Sequence, residues 1–291
     1  MTMEGVKAVS AAGTLVTLTP LSVTLLTCLI GMGLVQAIGS MMYPKKVYQY
    51  ETEALLLQAV AQDWVTGLLC LPALILALVS LLYTERGGVD ESATHRHHLL
   101  TLFLLGVMAY FVYTYTSYVF VCHYSRLFLF YVTLMSLSWG VFLSILPMAL
   151  SVPLLPPSSK TPTVAFLSFS GVFIAFMWLS ALIPAAISGK PPAMLAIGGG
   201  NTLAIQALDL AFVVPLCACA VYAVVKETQY AMVLSAIMFG KAILLGAAVA
   251  SMALYSKAKG ETVSVGELAL GPTVALLGVG AGLHFYTHLR S

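Results

Sequence analysis

Eight long apolar stretches leave this chain little choice of fold. Runs of about 18 or more apolar residues, enough to cross roughly 30 Å of hydrocarbon, predict helices near 12–39, 54–83, 98–121, 127–150, 164–187, 199–224, 229–256 and 268–288. Within lipid every backbone amide must be satisfied inside its own segment, so runs of this length have to be helices. The ten-residue alternation of a membrane β-barrel is absent. The expected fold is therefore all-α, a polytopic transmembrane bundle of about eight helices. A charged fraction of 8%, against roughly 25% in a soluble domain, leaves no polar stretch long enough for a soluble unit. Residues 1–291 read as one transmembrane domain whose first partner is the lipid bilayer.

Breakers separate the runs: Pro44 with Lys45 and Lys46, Gly87-Gly88, Pro153 with Pro156-Pro157, and Pro191-Pro192. The first run ends in Ala37 and Gly39, a pattern that mimics a cleavage site. Its long apolar core and the Glu4 beside Lys7 fit a retained helix better than a signal peptide. Eight crossings place both termini on one side. Lys7, Arg86, Arg96, Lys160, Lys226 and Arg290 face Lys45, Lys46, Arg126, Lys190, Lys257 and Lys259 across the bilayer, so the positive-inside rule does not decide which side that is.

The two halves, 1–150 and 160–291, share a layout. After the first helix come Gly39-Ser40, Pro44 and then a helix with Ala61 and Asp63; after the fifth come Ser188-Gly189, Pro191 and then a helix with Ala207 and Asp209. A proline follows each aspartate, at Pro72 and Pro215. A parallel repeat of four plus four helices would give this pattern; so would the shared composition of hydrophobic helices.

Charge is the most informative property. Of the 24 Lys, Arg, Asp and Glu side chains only Asp63, Asp209 and Lys241 fall inside the predicted spans. Each costs at least about 2.5 kcal/mol near the bilayer centre, so it should face protein, water or a partner. Asp209 and Lys241 lie on helices joined by the tight turn Lys226-Glu227-Thr228-Gln229, at depths that differ by roughly 7 Å at helical rise. A lysine side chain bridges much of that, so the two can pair, either as a structural lock or as a substrate or proton site.

Polar side chains surround these charges at helical spacing. Thr202, Gln206 and Asp209 share a face, as do Gln58, Gln62 and Thr66 beside Asp63, and Tyr110, Tyr113, Thr114, Ser117 and Tyr118 form a third stripe. A central cavity lined by Asp209, Lys241, Asp63, Gln206, Gln62, Tyr110 and Tyr113 is the expected site of any substrate or proton chemistry. Any one of these tyrosines taken alone reads more readily as packing or a hydrogen bond between helices.

Other features carry less. His95-Arg96-His97-His98 reads as a solvated loop, and His284 with His288 lacks a Glu or Cys to complete a metal set. Cys28, Cys70, Cys122, Cys217 and Cys219 act as small hydrophobes. Gly198-Gly199-Gly200 before Asn201 suits a helix start rather than a phosphate loop. Gly278 and Gly282 form a GxxxG face, an oligomer contact in the expectation. No catalytic triad, CxxC or HExxH is present, no cofactor is implied, and a net charge of +2 without a basic cluster excludes nucleic acid as a partner.

The segments Ala61-Gln62-Asp63, Tyr113-Thr114-Tyr115 through Ser117-Tyr118, Gln206-Ala207-Leu208-Asp209 with Val213-Val214-Pro215, and Gly240-Lys241 resemble recurring segments of a family of uncharacterised prokaryotic multi-pass membrane proteins. The resemblance covers helices two to seven and lies in pattern rather than in one diagnostic motif. It implies the polytopic fold, a prokaryotic plasma membrane, and termini in the cytoplasm, where the loops after helices two and six are more basic in such proteins. Here those loops are mixed in charge, and no activity comes with the resemblance.

Three classes of function follow. A small-solute or ion transporter or channel would use Asp209, Lys241 and Asp63 for exchange and coupling. A membrane sensor, assembly factor or scaffold would use the same charges only as a lock. A membrane-embedded enzyme is the third class, and no catalytic constellation supports it.

Overall fold

The computed structural model describes residues 17–86, 91–197 and 202–290. The expectations placed on Glu4, Lys7, Gly87-Gly88, Gly198-Gly199-Gly200 and Asn201 lie outside those residues. Among the described residues eight helices are long and apolar enough to cross a membrane: α1 (Pro20–Met42), α2 (Glu53–Glu85), α3 (Ser92–Val121), α4 (Phe128–Leu150), α5 (Thr161–Ser188), α6 (Ala204–Val225), α7 (Ala231–Ala258) and α8 (Val265–Thr287). The chain is an integral, multi-pass membrane protein with an all-α fold.

Local chemistry sets the ends of these helices. Thr19 caps α1 by accepting the Ser22 N–H, and Pro20 occupies the first turn, where its missing N–H costs nothing. That pair starts the helix later than the apolar run suggests, and α1 continues to Met42, two residues before Pro44. Thr52 caps α2 in the same way through the Leu55 N–H. Ser264 and Glu267 form a reciprocal capping box at α8, and Gly189 closes α5 in the left-handed conformation. Ser264→Ala is expected to lower stability by about 1 kcal/mol, read from thermal unfolding in detergent.

The start of α3 corrects one expectation. His95-Arg96-His97-His98 lies on the first turns of the helix and not in a loop. His97 is buried, 3.4 Å from Glu85 of α2. Hydropathy marks where lipid begins, whereas a helix can project beyond it, so the apolar run understated this helix.

Packing places α3 and α7 at the centre: 72% and 56% of their apolar windows are buried, against 39% or less in every other span. In the first half α1 packs on α2 and α4, and α3 packs on α2 and α4. The second half repeats this, with α5 on α6 and α8, and α7 on α6 and α8. The halves meet where α3 crosses α7, flanked by α2 against α7 and α3 against α6.

At that crossing the two backbones touch. A Cβ on Gly240 would stand 2.2 Å from the Gly106 carbonyl carbon, and a Cβ on Gly106 would stand 2.5 Å from the Ala236 oxygen. Only glycine admits such an approach. The GxxxG face of α8 is likewise filled from within the chain. Gly278 lies against Ile243 and Phe166, and Gly282 against Ile243 and Phe239.

Two helices contain a wide turn. Thr66–Cys70 of α2 and Asp209–Val213 of α6 are π-helical, and each segment ends two residues before a proline, Pro72 or Pro215. A proline inside a helix clashes with the carbonyl four residues earlier, here that of Leu68 or Ala211. Both carbonyls lie within the wide turn, which takes in one extra residue and relieves the clash.

The connections define two ends of the bundle. End A carries the α2–α3, α4–α5 and α6–α7 connections, and end B carries α1–α2, α3–α4, α5–α6 and α7–α8. At end A, Glu227 receives Lys160 at 2.8 Å and Arg290 at 3.0 Å, while Arg290 and Leu155 exchange backbone hydrogen bonds. The hydrogen bond from Lys160, with Arg290 adding to it, holds the Glu227 carboxyl below the usual range. At end B, Glu51 accepts both the backbone N–H of His123 and a contact from its ring Nδ1 at 2.8 Å, clasping the α1–α2 and α3–α4 connections together.

Candidate functional site

The glycine crossing fixes the centre of the site. Lys241 follows Gly240 on α7, and Tyr113 lies two turns beyond Gly106 on α3. Close contact of the two backbones brings the Lys241 ammonium 3.9 Å from the centroid of the Tyr113 ring, a cation over a π face. The Tyr113 hydroxyl continues to α6 and donates to Asp209 Oδ1 at 2.8 Å. From α5 the indole Nε1–H of Trp178 donates to Asp209 Oδ2 at 2.9 Å. Lys241 Nζ stands 3.7 Å from Asp209 Oδ1. Asp209 is 6% exposed and Lys241 is 7% exposed.

Thus the pair anticipated from the α6–α7 hairpin forms. The wide turn at Asp209 shortens the expected depth mismatch, because it packs an extra residue into its turn. Four helices converge on one carboxylate. Each of its oxygens accepts one hydrogen bond, whereas the ammonium has three donors and, among the described residues, the carboxylate at 3.7 Å and the Tyr113 ring face beside it.

This pair lies on the wall of a cavity of about 370 Å³. Asp209, Lys241, Tyr113 and Trp178 line it together with Gln58, Gln62, Ser117, Tyr118 and Ser170, and the rest of the wall is mostly aliphatic and aromatic. Cys217, one helix turn beyond the wide turn of α6, is close enough to feel both charges.

Asp63 is elsewhere. It is 1% exposed, enclosed between α1, α3 and the α1–α2 connection. Oδ1 accepts the Tyr118 hydroxyl at 2.8 Å; Oδ2 accepts the Tyr48 hydroxyl at 2.5 Å and the Gln36 amide at 3.1 Å. Burial, reinforced by the nearby Asp63 charge, pushes the Tyr48 phenol well above its ordinary range, so it remains a donor. No cation lies within 4 Å of Asp63 among the described residues. Its neighbour Gln62 faces the cavity and donates to Thr114 at 3.0 Å. Successive helix positions point about 100° apart, so one of the two looks into the cavity and the other into the cage.

The expectation of a single cavity shared by both carboxylates is therefore corrected to two separate sites. Tyr110 belongs to neither: it is fully buried and shares a 2.8 Å hydrogen bond with Thr66, tying α3 to the wide turn of α2. Gln206 also points away, donating to Met194 Sδ at 3.3 Å on the short helix Ala193–Ile197. Of the seven residues expected together, Asp209, Lys241, Tyr113 and Gln62 meet.

Trp178, Gln36, Tyr48 and Gly106 were not singled out from sequence. Trp178 did carry a signal, since an indole N–H inside a membrane must find an acceptor. Tyr48 sits in an irregular connection, where no periodicity points to it.

No family model, no curated protein and no solved structure matches this chain. The site has to be interpreted from its own geometry.

Proposed function

We propose that the protein is a carrier or channel for a small solute or ion, with the Asp209 and Lys241 pair as its exchange site. The observation that carries this reading is that the pair borders a cavity and is not sealed in a dry contact between α6 and α7. Intramembrane charges facing a cavity are the usual equipment of substrate and proton pathways. A proton or a substrate group arriving at Asp209 weakens its hold on Lys241, and Tyr113 and Trp178 keep the carboxylate in place while the ammonium changes partner. The charged and titratable groups facing this carboxylate are Lys241, Tyr113 and Cys217. Asp63, caged without a cation, serves as a second proton or cation site.

The matched contacts of α1–α4 and α5–α8 support a four-plus-four parallel repeat, an architecture suited to movement of one half against the other. The resemblance drawn from the sequence supports a prokaryotic plasma membrane with cytoplasmic termini.

Proteoliposomes on a solid-supported membrane, challenged with pH steps and a panel of small solutes, provide the test. Wild-type protein is expected to give a pH-dependent current or flux that Asp209→Asn abolishes while the variant still purifies folded. Undiminished flux through the variant would overturn the mechanism, and a wild-type protein silent across the whole panel would overturn the transport reading.

One observation favours the alternative, a sensor, assembly factor or scaffold. Hydrogen bonds from α3 and α5 reach both Asp209 oxygens, as a structural lock requires.

A further inference from the structure

The cavity wall is chemically lopsided. Its charges are Asp209 and Lys241, with Tyr113 and Trp178 bonded or stacked beside them, whereas Phe169, Phe173, Met177, Leu245, Val249 and Val274 present only apolar surface. Along α7 the wall extends from Met238 to Met252, roughly 20 Å at helical rise. The surface of the wall is predominantly apolar, and a sugar or an amino acid would leave most of it unmatched. An elongated apolar body matches it.

Lys241 is the cation of this wall, and it sets the sign of the head group. Asp209 already accepts one hydrogen bond on each oxygen, from Tyr113 and Trp178. Lys241 stands 3.7 Å from the carboxylate and over a ring, so its N–H donors have room for an incoming acceptor. In a site this apolar the matching group is an anion, because it forms a charge-assisted hydrogen bond to the ammonium.

We propose that the cavity binds a single-chain anionic amphiphile, a long-chain carboxylate whose head sits on Lys241 and whose apolar chain lies along α7. The proposal rests on reading this cavity as the substrate site. Asp209 then competes with the ligand for the ammonium, and neutralising Asp209 frees Lys241 for the ligand head.

Trp178 supplies a reporter within the wall. The chain has three tryptophans, and Trp64 and Trp139 face outward at 42% exposure each. A Trp64→Phe, Trp139→Phe background therefore leaves Trp178 as the sole emitter. A brominated long-chain fatty acid is expected to quench it saturably, with recovery on adding the unbrominated acid. The same brominated chain carrying an alcohol head should bind at least about tenfold more weakly, the worth of one hydrogen bond to a charged group. A two-chain phospholipid with a brominated acyl tail should give only non-saturable quenching, which separates a free acid from bulk lipid as the source of the head. Asp209→Asn is expected to tighten the acid. The double variant Asp209→Asn, Lys241→Met, which carries no stranded charge, should lose the preference for acid over alcohol.

Equal quenching by acid and alcohol, or an acid preference that survives in the double variant, would overturn the proposal. Flux of a hydrophilic solute that depends on Asp209, without saturable quenching by the acid, would overturn it while leaving the transport reading intact. Saturable, Lys241-dependent binding without flux of any solute would support it and remove the transport reading instead.

Discussion

Lys241→Met is expected to destabilise the protein by about 3 to 5 kcal/mol, because it strands the buried Asp209 carboxylate without its cation. Tyr113 and Trp178 still donate to the oxygens, but hydrogen bonds from neutral groups do not supply the missing charge. The double change Asp209→Asn with Lys241→Met is expected to recover most of that loss, since no unpaired charge remains to be desolvated. Chemical denaturation in detergent of the wild type, both single variants and the double variant completes a thermodynamic cycle. If the double variant is as unstable as Lys241→Met, the pair is not the source of the loss. The same four proteins separate lock from carrier: a scaffold recovers function along with stability in the double variant, whereas a carrier recovers stability alone.

Gly240→Ala should also be severe, although it adds only a methyl group. Its Cβ would stand 2.2 Å from the backbone of Gly106, and backbone cannot turn aside as a flexible side chain can. The central helices must separate, at about 1 to 3 kcal/mol or more by the usual scale of overpacking. Tyr113 would be carried away from Lys241 and Asp209 by the same displacement. Gly280→Ala on α8 is the matched control, because a Cβ there meets nothing within 4 Å; it should be neutral or slightly stabilising through better helix propensity. Melting temperatures of the two variants in one detergent decide the matter. Equal values would mean that the α3–α7 crossing tolerates separation.

The eight spans were readable from sequence because lipid imposes one simple rule, length of apolar run, and every span obeys it. The buried charges were readable for the same reason, as violations of that rule. What the sequence misplaced was direction. Matching Asp63 with Asp209 as equivalent positions ignores the wide turns: Asp209 opens its own, whereas Asp63 precedes its turn by three residues, about one helix turn away. Tyr110 does turn inward, but its hydroxyl meets Thr66 of α2 and not the cavity, and the Gln206 amide meets Met194 on the short helix before α6; periodicity gives the inward face and not the neighbour across it. The prolines at Pro72 and Pro215 were visible, but the turn that accommodates each of them is a property of the backbone and not of composition. Gly106 and Gly240 look like any other membrane glycines until the two helices are brought together.

The wide turn of α2 also has a bearing on insertions and deletions. Removing one residue from Thr66–Cys70 would take out the surplus and restore regular pitch with both flanks in place. Removing a second would leave nothing to absorb the loss, and every earlier side chain in α2 would move into the place of its successor. Gln62 would enter the cage of Tyr48, Tyr118 and Gln36, and Asp63 would take the position of Trp64, which faces lipid at 42% exposure. A carboxylate there would meet hydrocarbon in place of three hydrogen-bond donors. The wide turn thus gives this helix a tolerance of one residue, and beyond it the length of the segment between Asp63 and Pro72 is as much a constraint as the identity of either residue.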